Sequence, residues 1–186
     1  ALGQVERALP VAQQMERLDL RSQIAHMVIV ADLIRNEKFA TLLERDQETQ
    51  GIGPLVDGLM IGWAHMGTGE VSKALAQFDD VAKEQGLTGF ALYHRALALA
   101  LVGDYEGAEA MFADNGGQLT RTSRRAALAR IEVLSQLDRD AEALQVMTDV
   151  FGAKLDPGLQ PIADRLANGE KLPLTQVTSV QDGIAE

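Results

Sequence analysis

The chain has 186 residues, a net charge of −10 and no cysteine. The acidic charge argues against a nucleic-acid-binding protein, because phosphate contacts require clustered Lys and Arg side chains, and the missing thiols exclude disulfides and cysteine zinc sites. No apolar run reaches the ~18 residues that a membrane span requires, so we expect no direct membrane insertion, while abundant Ala, Leu and Glu favour helices.

The first part of the chain predicts one helix followed by a helix pair. Residues 3–17 have the apolar rhythm of a helix, with Pro10 in its first turn or at a kink. Residues 21–46 predict two helices that turn at Asn36. The register of the second of these is ambiguous, because either Thr41 or Leu42 could occupy its central buried position.

The next pair is predicted over residues 54–85. Pro54 suits the first turn of a helix, and Gly86 suits the residue after its end. Gly62 lies in the middle of the first helix, where glycine costs roughly 1 kcal/mol relative to alanine. We expect the second helix to offset this cost by approaching closely, with Ala74 facing Gly62.

Two further pairs repeat this plan at about 88–114 and 123–152. Asp104 is expected to cap the second helix of the former pair, and the Asn-Gly-Gly sequence at 115–117 is expected to end it. A terminal helix is predicted at 157–168. Residues 171–186 are expected to be extended or mobile, although their last letters, QDGIAE, are typical of the first turn of a helix.

One pattern recurs in the second helices of these three pairs. A small residue followed four positions later by a large one repeats at a spacing of about 34 residues: Ala74 and Phe78, Ala108 and Phe112, Ala143 and Met147. Such a period is typical of stacked helix–turn–helix repeats, in which each unit buries the apolar face of its neighbour.

These residues resemble the tetratricopeptide repeat (TPR) family. The match is good at 54–85 and 88–114, partial at 123–152 and weak at 21–46, and the proline that ends the family's repeat is absent. The resemblance implies an all-α fold, a right-handed α-solenoid of stacked antiparallel helix pairs over residues 1–170. The chain is also similar to larger bacterial repeat proteins of undefined function that often carry export signals. We therefore expect a fragment of such a protein, located in the periplasm or envelope or in the cytoplasm.

In this family the first helices line a concave groove. The positions of this chain that project into the groove are mostly apolar: Val56, Leu59, Trp63, Met66, Phe90, Tyr93, Leu97, Leu101, Arg124, Ala127 and Glu132. They lack the Lys and Asn side chains with which chaperone-binding members clamp a terminal carboxylate. We expect the groove to bind a protein or peptide partner through its aromatic residues, or to be filled by a neighbouring helix of the same protein or of a second copy.

No catalytic, cofactor or metal pattern stands out. His26, His65 and His94 are the only histidines, and a metal site needs three or four convergent ligands. We therefore expect a non-enzymatic interaction scaffold with no cofactor. Two alternatives stay open: a regulatory or docking arm of a larger enzyme whose catalytic domain lies outside this fragment, and a self-association module.

Overall fold

All regular secondary structure in the described part of the chain is helical. The computed structural model describes residues 5–45 and 51–186, except for the side chains of 115–118 and 122, and these residues contain no strand. The all-α class predicted from the sequence is therefore confirmed. The chain divides into two compact units, Ala1–Leu87 and Thr88–Glu186, which we call unit 1 and unit 2.

Unit 1 is a series of helices in which each packs against the next. They are α1 (Val5–Arg17), α2 (Gln23–Arg35), α3 (Phe39–Glu44), α4 (Pro54–Gly67) and α5 (Val71–Lys83). The turn that the sequence predicts at Asn36 therefore lies between α2 and α3. Residues 3, 4 and 46, which the predicted elements included, lie outside the described residues.

The α3 helix resolves the ambiguous register of the sequence. Leu42 is fully buried, whereas Thr41 is exposed. Leu42 therefore takes the buried position in this helix. Phe39 of the same helix packs against α4 at Gly67, where a methyl group on the glycine would lie 2.2 Å from the Phe39 ring.

The α4–α5 pair is packed closely at Gly62. A methyl group on this glycine would lie 2.3 Å from the ring of Phe78, far inside van der Waals contact. The sequence predicted a close approach here but assigned the facing position to Ala74, and Phe78, one turn further along α5, fills it instead. Trp63 is fully buried beside it and packs edge-on against the same ring, with 5.8 Å between centroids.

Unit 2 contains six helices, of which the last is short. They are α6 (Thr88–Leu101), α7 (Tyr105–Thr122), α8 (Arg124–Gln136), α9 (Asp140–Phe151), α10 (Gln160–Ala167) and α11 (Val180–Ala185). Each helix from α6 to α9 packs on the next, and α6 also contacts α8 and α11. The Asp104 cap predicted for α7 is present, since its carboxylate accepts a hydrogen bond from the Gly107 N–H at 2.9 Å.

The α7 helix is longer than the sequence predicted. Its backbone stays helical through Asn-Gly-Gly at 115–117 and ends at Thr122, so the predicted end at residue 114 was wrong. The additional turns bury Thr120, which is 2% exposed, and tertiary packing of this kind outweighs the low helix propensity of glycine. Ser123 then ends α7 and caps α8 by accepting a hydrogen bond from Ala126 N–H at 3.3 Å.

The contact at Gly62 gives a prediction for stability. We expect Gly62→Ala to lower the free energy of unfolding of unit 1 by about 1–3 kcal/mol, because the new methyl group forces the buried Phe78 ring to move. The measurement is urea unfolding followed by the fluorescence of Trp63, the single tryptophan of the chain.

Gly89 offers a matched control for this substitution. It also lies in a helix, but no atom lies within 4 Å of the position a methyl group would take. Gly89→Ala should leave stability unchanged or raise it by up to about 1 kcal/mol, as followed by far-UV circular dichroism. Equal and small effects of the two substitutions would contradict the packing argument.

Candidate functional site

Residues 171–186 bind along the face that α6 and α8 present in unit 2. This segment has no regular secondary structure as far as Ser179, with bends at residues 176, 178 and 179, and then forms α11, a helix that the predicted extended or mobile tail did not include. It is packed rather than free, since Leu172 and Val177 are 3% and 1% exposed. We call the surface that it contacts the inner face; its contacting residues are Tyr93, His94, Arg125, Glu132, Ser135 and Gln136.

Glu132 accepts hydrogen bonds from the centre of the non-helical stretch, residues 171–179. Its carboxylate accepts hydrogen bonds from the N–H groups of Thr175 at 2.9 Å and Gln176 at 3.4 Å, and from the Thr175 hydroxyl. Glu132 is 8% exposed, and this burial raises the pKa of its carboxyl, while the hydrogen bonds from Thr175 and Gln176 oppose the rise. A buried carboxylate is thus supported mainly by donors from the bound segment.

The end of α8 holds the beginning of the segment. The Leu172 N–H donates to Ser135 Oγ at 2.9 Å, and Gln136 Nε2 donates to the Leu172 carbonyl at 2.5 Å. Lys171 Nζ donates to the carbonyls of Ser135 and Gln136, both at 2.8 Å. Both backbone polar groups of Leu172 are therefore satisfied by α8 side chains, as a buried strand-like segment requires.

The helical end of the segment contacts α6 and the start of α8. The Tyr93 hydroxyl and Arg125 Nη1 both donate to Oε2 of Glu186, each at 2.9 Å. His94 is hydrogen-bonded to the backbone of Gly183 and is 4% exposed. Burial lowers the pKa of His94 to about 4, so its imidazole is neutral at pH 7.

The segment also carries its own helix-starting signal. Ser179 Oγ accepts from the Asp182 N–H at 3.1 Å, and the Asp182 carboxylate accepts from the N–H and hydroxyl of Thr178 at 3.0 and 2.5 Å. These reciprocal bonds form a capping box, which satisfies backbone N–H groups at a helix start. The hydrogen bonds from Thr178 lower the pKa of Asp182.

A cavity remains beside the bound segment. It has a volume of about 90 Å³ and lies between α8, α10 and the start of the segment. Leu128, Ile131 and Ile162 form much of its apolar wall, Leu172 borders it, and Arg165 lies at its polar side. The side chain of Leu172 therefore does not fill the space that the inner face and α10 offer.

An ion pair joins α7 to α8, the helix that forms part of the inner face. Arg130 donates three hydrogen bonds to the carboxylate of Glu109, from Nε at 3.0 and 3.3 Å and from Nη2 at 2.7 Å. Glu109 is 5% exposed. Two-point pairing adds geometric specificity, so this pair contributes to holding α8 against α7 together with the buried apolar residues of α8.

The groove residues predicted on α6 lie at different depths. Tyr93 and Leu97 are buried, Leu101 is partly exposed, and Phe90 is 54% exposed. Tyr93 contacts the segment directly. Phe90 is exposed to solvent and is not among the residues described above as contacting the segment.

On α8 the residues that contact the segment differ in part from the predicted ones. Arg124 pairs with Asp156 at 3.4 Å and lies over the ring of Phe151 at 5.1 Å, and Ala127 is fully buried. Arg125, one position further, makes the contact with Glu186. Of the three residues predicted on this helix, Glu132 contacts the segment.

The predicted groove residues of unit 1 all lie on α4. Trp63 and Met66 are buried, Leu59 is partly exposed, and Val56 is 41% exposed. The contact of Trp63 with Phe78 makes it part of the α4–α5 core. Trp63 is therefore buried by packing within its own helix pair.

The residues that the sequence analysis missed are polar positions on apolar helices. Ser135 and Gln136 follow Glu132 by about one turn, and Arg125 precedes it by two turns, so all share one side of α8. A serine and a glutamate within a run of Ile, Val and Leu are unusual in a buried helix face. This pattern is the signal that could have identified them.

The three histidines differ in their surroundings. His65 is hydrogen-bonded to Glu70 at 2.9 Å, and His94 to Gly183. His26 is 2% exposed, and neither of its ring nitrogens has a hydrogen-bond partner. Within residues 5–45 and 51–186, no group of three or more His, Asp or Glu side chains is arranged to hold a metal ion.

The comparisons with known proteins identify no family. No protein-family model matches the chain, and no curated protein and no solved structure is significantly similar to it. In the part of the chain that the structure describes, no helix has the length and apolar character of a membrane span.

Burial of His94 predicts a pH dependence of stability. The unfolded histidine has a pKa of 6.5 and the folded one about 4, so the unfolded state binds more protons between these values. Stability is therefore lost as the pH falls from 6.5 towards 4. Between pH 7 and pH 5 we expect this residue to account for a loss of about 2 kcal/mol in the free energy of unfolding, measured by urea unfolding at both pH values.

The variant His94→Gln isolates this contribution, because it cannot be protonated in this range. Its free energy of unfolding should fall by about 2 kcal/mol less than that of the wild type between pH 7 and pH 5. Identical losses in the two proteins would show that His94 is not buried in its neutral form.

The Thr175 hydroxyl gives a second prediction. Thr175→Val keeps the shape of the side chain and removes one donor to the buried carboxylate of Glu132, which should weaken docking of the segment by about 1.5–3 kcal/mol. We expect at least tenfold faster hydrogen exchange at the amides of Leu172 and Thr175. Thr148→Val is the control, because that hydroxyl bonds only to Leu144 of its own helix at 3.0 Å and should leave these amides unchanged.

Proposed function

We propose that this chain is a protein–protein interaction scaffold built from TPR-like helix pairs, and that the inner face of unit 2 is a groove for a peptide segment or a neighbouring helix. The observation that carries the proposal is the contact between the inner face and residues 171–186. This face already binds a non-helical stretch and a short helix of the same chain. A surface that binds one such segment has the chemistry to bind another.

The type of contact supports recognition of a peptide. Glu132, Ser135 and Gln136 bond to backbone N–H and C=O groups of the segment, and every protein segment offers these groups. Specificity then comes from side-chain positions, as in other modes of extended-peptide recognition. Here those positions are Leu172 and Val177, which are buried.

The repeat pattern supports the TPR-like part of the proposal. Ala74, Ala108 and Ala143 are each fully buried, as are Phe78 and Phe112, which is the role that the family pattern assigns to them. In unit 2 the first helices of two successive pairs, α6 and α8, contact each other. A shared surface on first helices is what a TPR-like groove requires.

A peptide selection experiment tests the proposal. A library of displayed random peptides of about 16 residues is selected against the immobilised chain. We expect enrichment of peptides that bind the wild type and lose at least tenfold in affinity on a Tyr93→Phe, Arg125→Ala variant, because these substitutions remove both donors to the acidic side chain at the end of the bound segment.

The control is a Tyr105→Phe, Arg121→Ala variant, with the same chemical changes on α7, away from the inner face. It should bind the selected peptides as tightly as the wild type does. A selection that yields no binder, or binders that ignore the Tyr93 and Arg125 substitutions, would remove the inner face as a binding site.

A further inference from the structure

We propose that residues 171–186 are an intramolecular ligand that a partner segment of the same chemistry displaces. That partner has an apolar side chain, a threonine three positions later and a second apolar side chain two positions after that, followed by a helical turn with an acidic side chain. In this chain these are Leu172, Thr175, Val177 and Glu186. The inference rests on the proposed function and specifies the occupant of its groove.

The bound segment defines this pattern through its contacts. The two apolar positions are the large apolar side chains of residues 171–186 that are buried. The threonine supplies a hydroxyl to Glu132 in addition to its N–H. Other residues of the segment, such as Pro173 and Thr178, are exposed, so the inner face does not require a particular side chain at these positions.

Charge fixes the acidic end of the pattern. Glu186 Oε2 accepts from both Tyr93 and Arg125, and its side chain is 17% exposed while that of Arg125 is 61% exposed. An acidic group is favoured at this position, because a hydrogen bond between oppositely charged groups is stronger than a neutral one. A lysine or arginine there would place like charges together.

A cavity of about 90 Å³ lies beside the position of Leu172 and offers room for a larger apolar side chain. Leu172 borders this space and leaves it open between Leu128, Ile131 and Ile162. Unfilled apolar space forfeits packing contacts that a larger side chain would make. A partner with phenylalanine in the position of Leu172 gains those contacts and displaces the segment.

Displacement leaves no stranded polar group. When the segment leaves, Glu132, Ser135 and Gln136 become open to water, which replaces the lost hydrogen bonds. The segment exchanges its backbone bonds for water in the same way. A ligand that makes the same hydrogen bonds and better apolar contact than Leu172 and Val177 therefore binds the inner face more tightly than the segment does.

The test uses the full chain and a synthetic peptide of residues 171–186 with blocked ends and a fluorescent label. Binding is measured by fluorescence anisotropy. The open variant is Thr175→Ala with Glu186→Gln, which weakens the chain's own segment and leaves the inner face intact. We expect it to bind the peptide at least tenfold more tightly than the wild type does, because its own segment competes less.

The peptide itself is then varied. A peptide with phenylalanine in place of Leu172 should bind the open variant at least threefold more tightly than the unchanged peptide, and one with aspartate there should bind at least tenfold more weakly. Adding Tyr93→Phe and Arg125→Ala to the open variant should weaken binding of the unchanged peptide at least tenfold. Circular dichroism confirms that all variants keep their helical content.

Three results would overturn the inference. The first is equal affinity of the wild type and the open variant for the peptide, which means that the segment does not compete. The second is no binding to either protein. The third is a concentration-dependent dimer of the wild type in light scattering that the open variant lacks, because the occupant is then the segment of a second copy.

The failure of this inference can be distinguished from the failure of the proposed function. Selected peptides that bind the inner face without competing with the labelled peptide would overturn this inference and leave the scaffold proposal standing. An inner face that binds neither selected peptides nor the labelled peptide, even in the open variant, would overturn both.

Discussion

The helix packing of unit 1 depends on large side chains that pack where the facing helix has no side chain. In unit 1 the α4 helix carries three such sites, Gly58, Gly62 and Gly67, which face Val81, Phe78 and Phe39, respectively. Two of these glycines pack against side chains of α5 and the third packs against a side chain of α3, so α4 is contacted on two sides. The conformational cost of glycine in a helix, about 1 kcal/mol each, is offset by the burial of an aromatic or branched side chain, which contributes about 1.5–3 kcal/mol.

The same constraint explains how much of the fold could be predicted from the sequence. The period of Ala74, Ala108 and Ala143 follows from the pair packing, so it predicted the helix pairs and their order. It could not predict the end of α7, because that end depends on the burial of Thr120 rather than on local propensity. Nor could it decide between Thr41 and Leu42, since each suits a helix and only packing distinguishes them.

The inner face was harder to predict for a different reason. Successive residues of a helix point about 100° apart, so an error of one position moves a contact to another side. The rotation of α8 depends on its packing, which includes the pair of Arg130 with Glu109, two residues 21 positions apart in sequence, and no local pattern reveals it. Arg125 rather than Arg124 reaches the segment, while Glu132, predicted from the same projection, does contact it.

The inner face combines two buried ionisable groups with opposite responses to pH. Burial lowers the pKa of His94, so its contribution to stability is lost as the pH falls through the range from 6.5 to about 4. Burial raises the pKa of Glu132, so its bound state holds a proton more readily, and stability is lost as the pH rises from the ordinary value of 4.5 through the raised one. The two effects oppose each other in mildly acidic solution. The pH dependence of the contact between the segment and the inner face is therefore the difference between these two effects, and a measurement at a single pH reports only their sum.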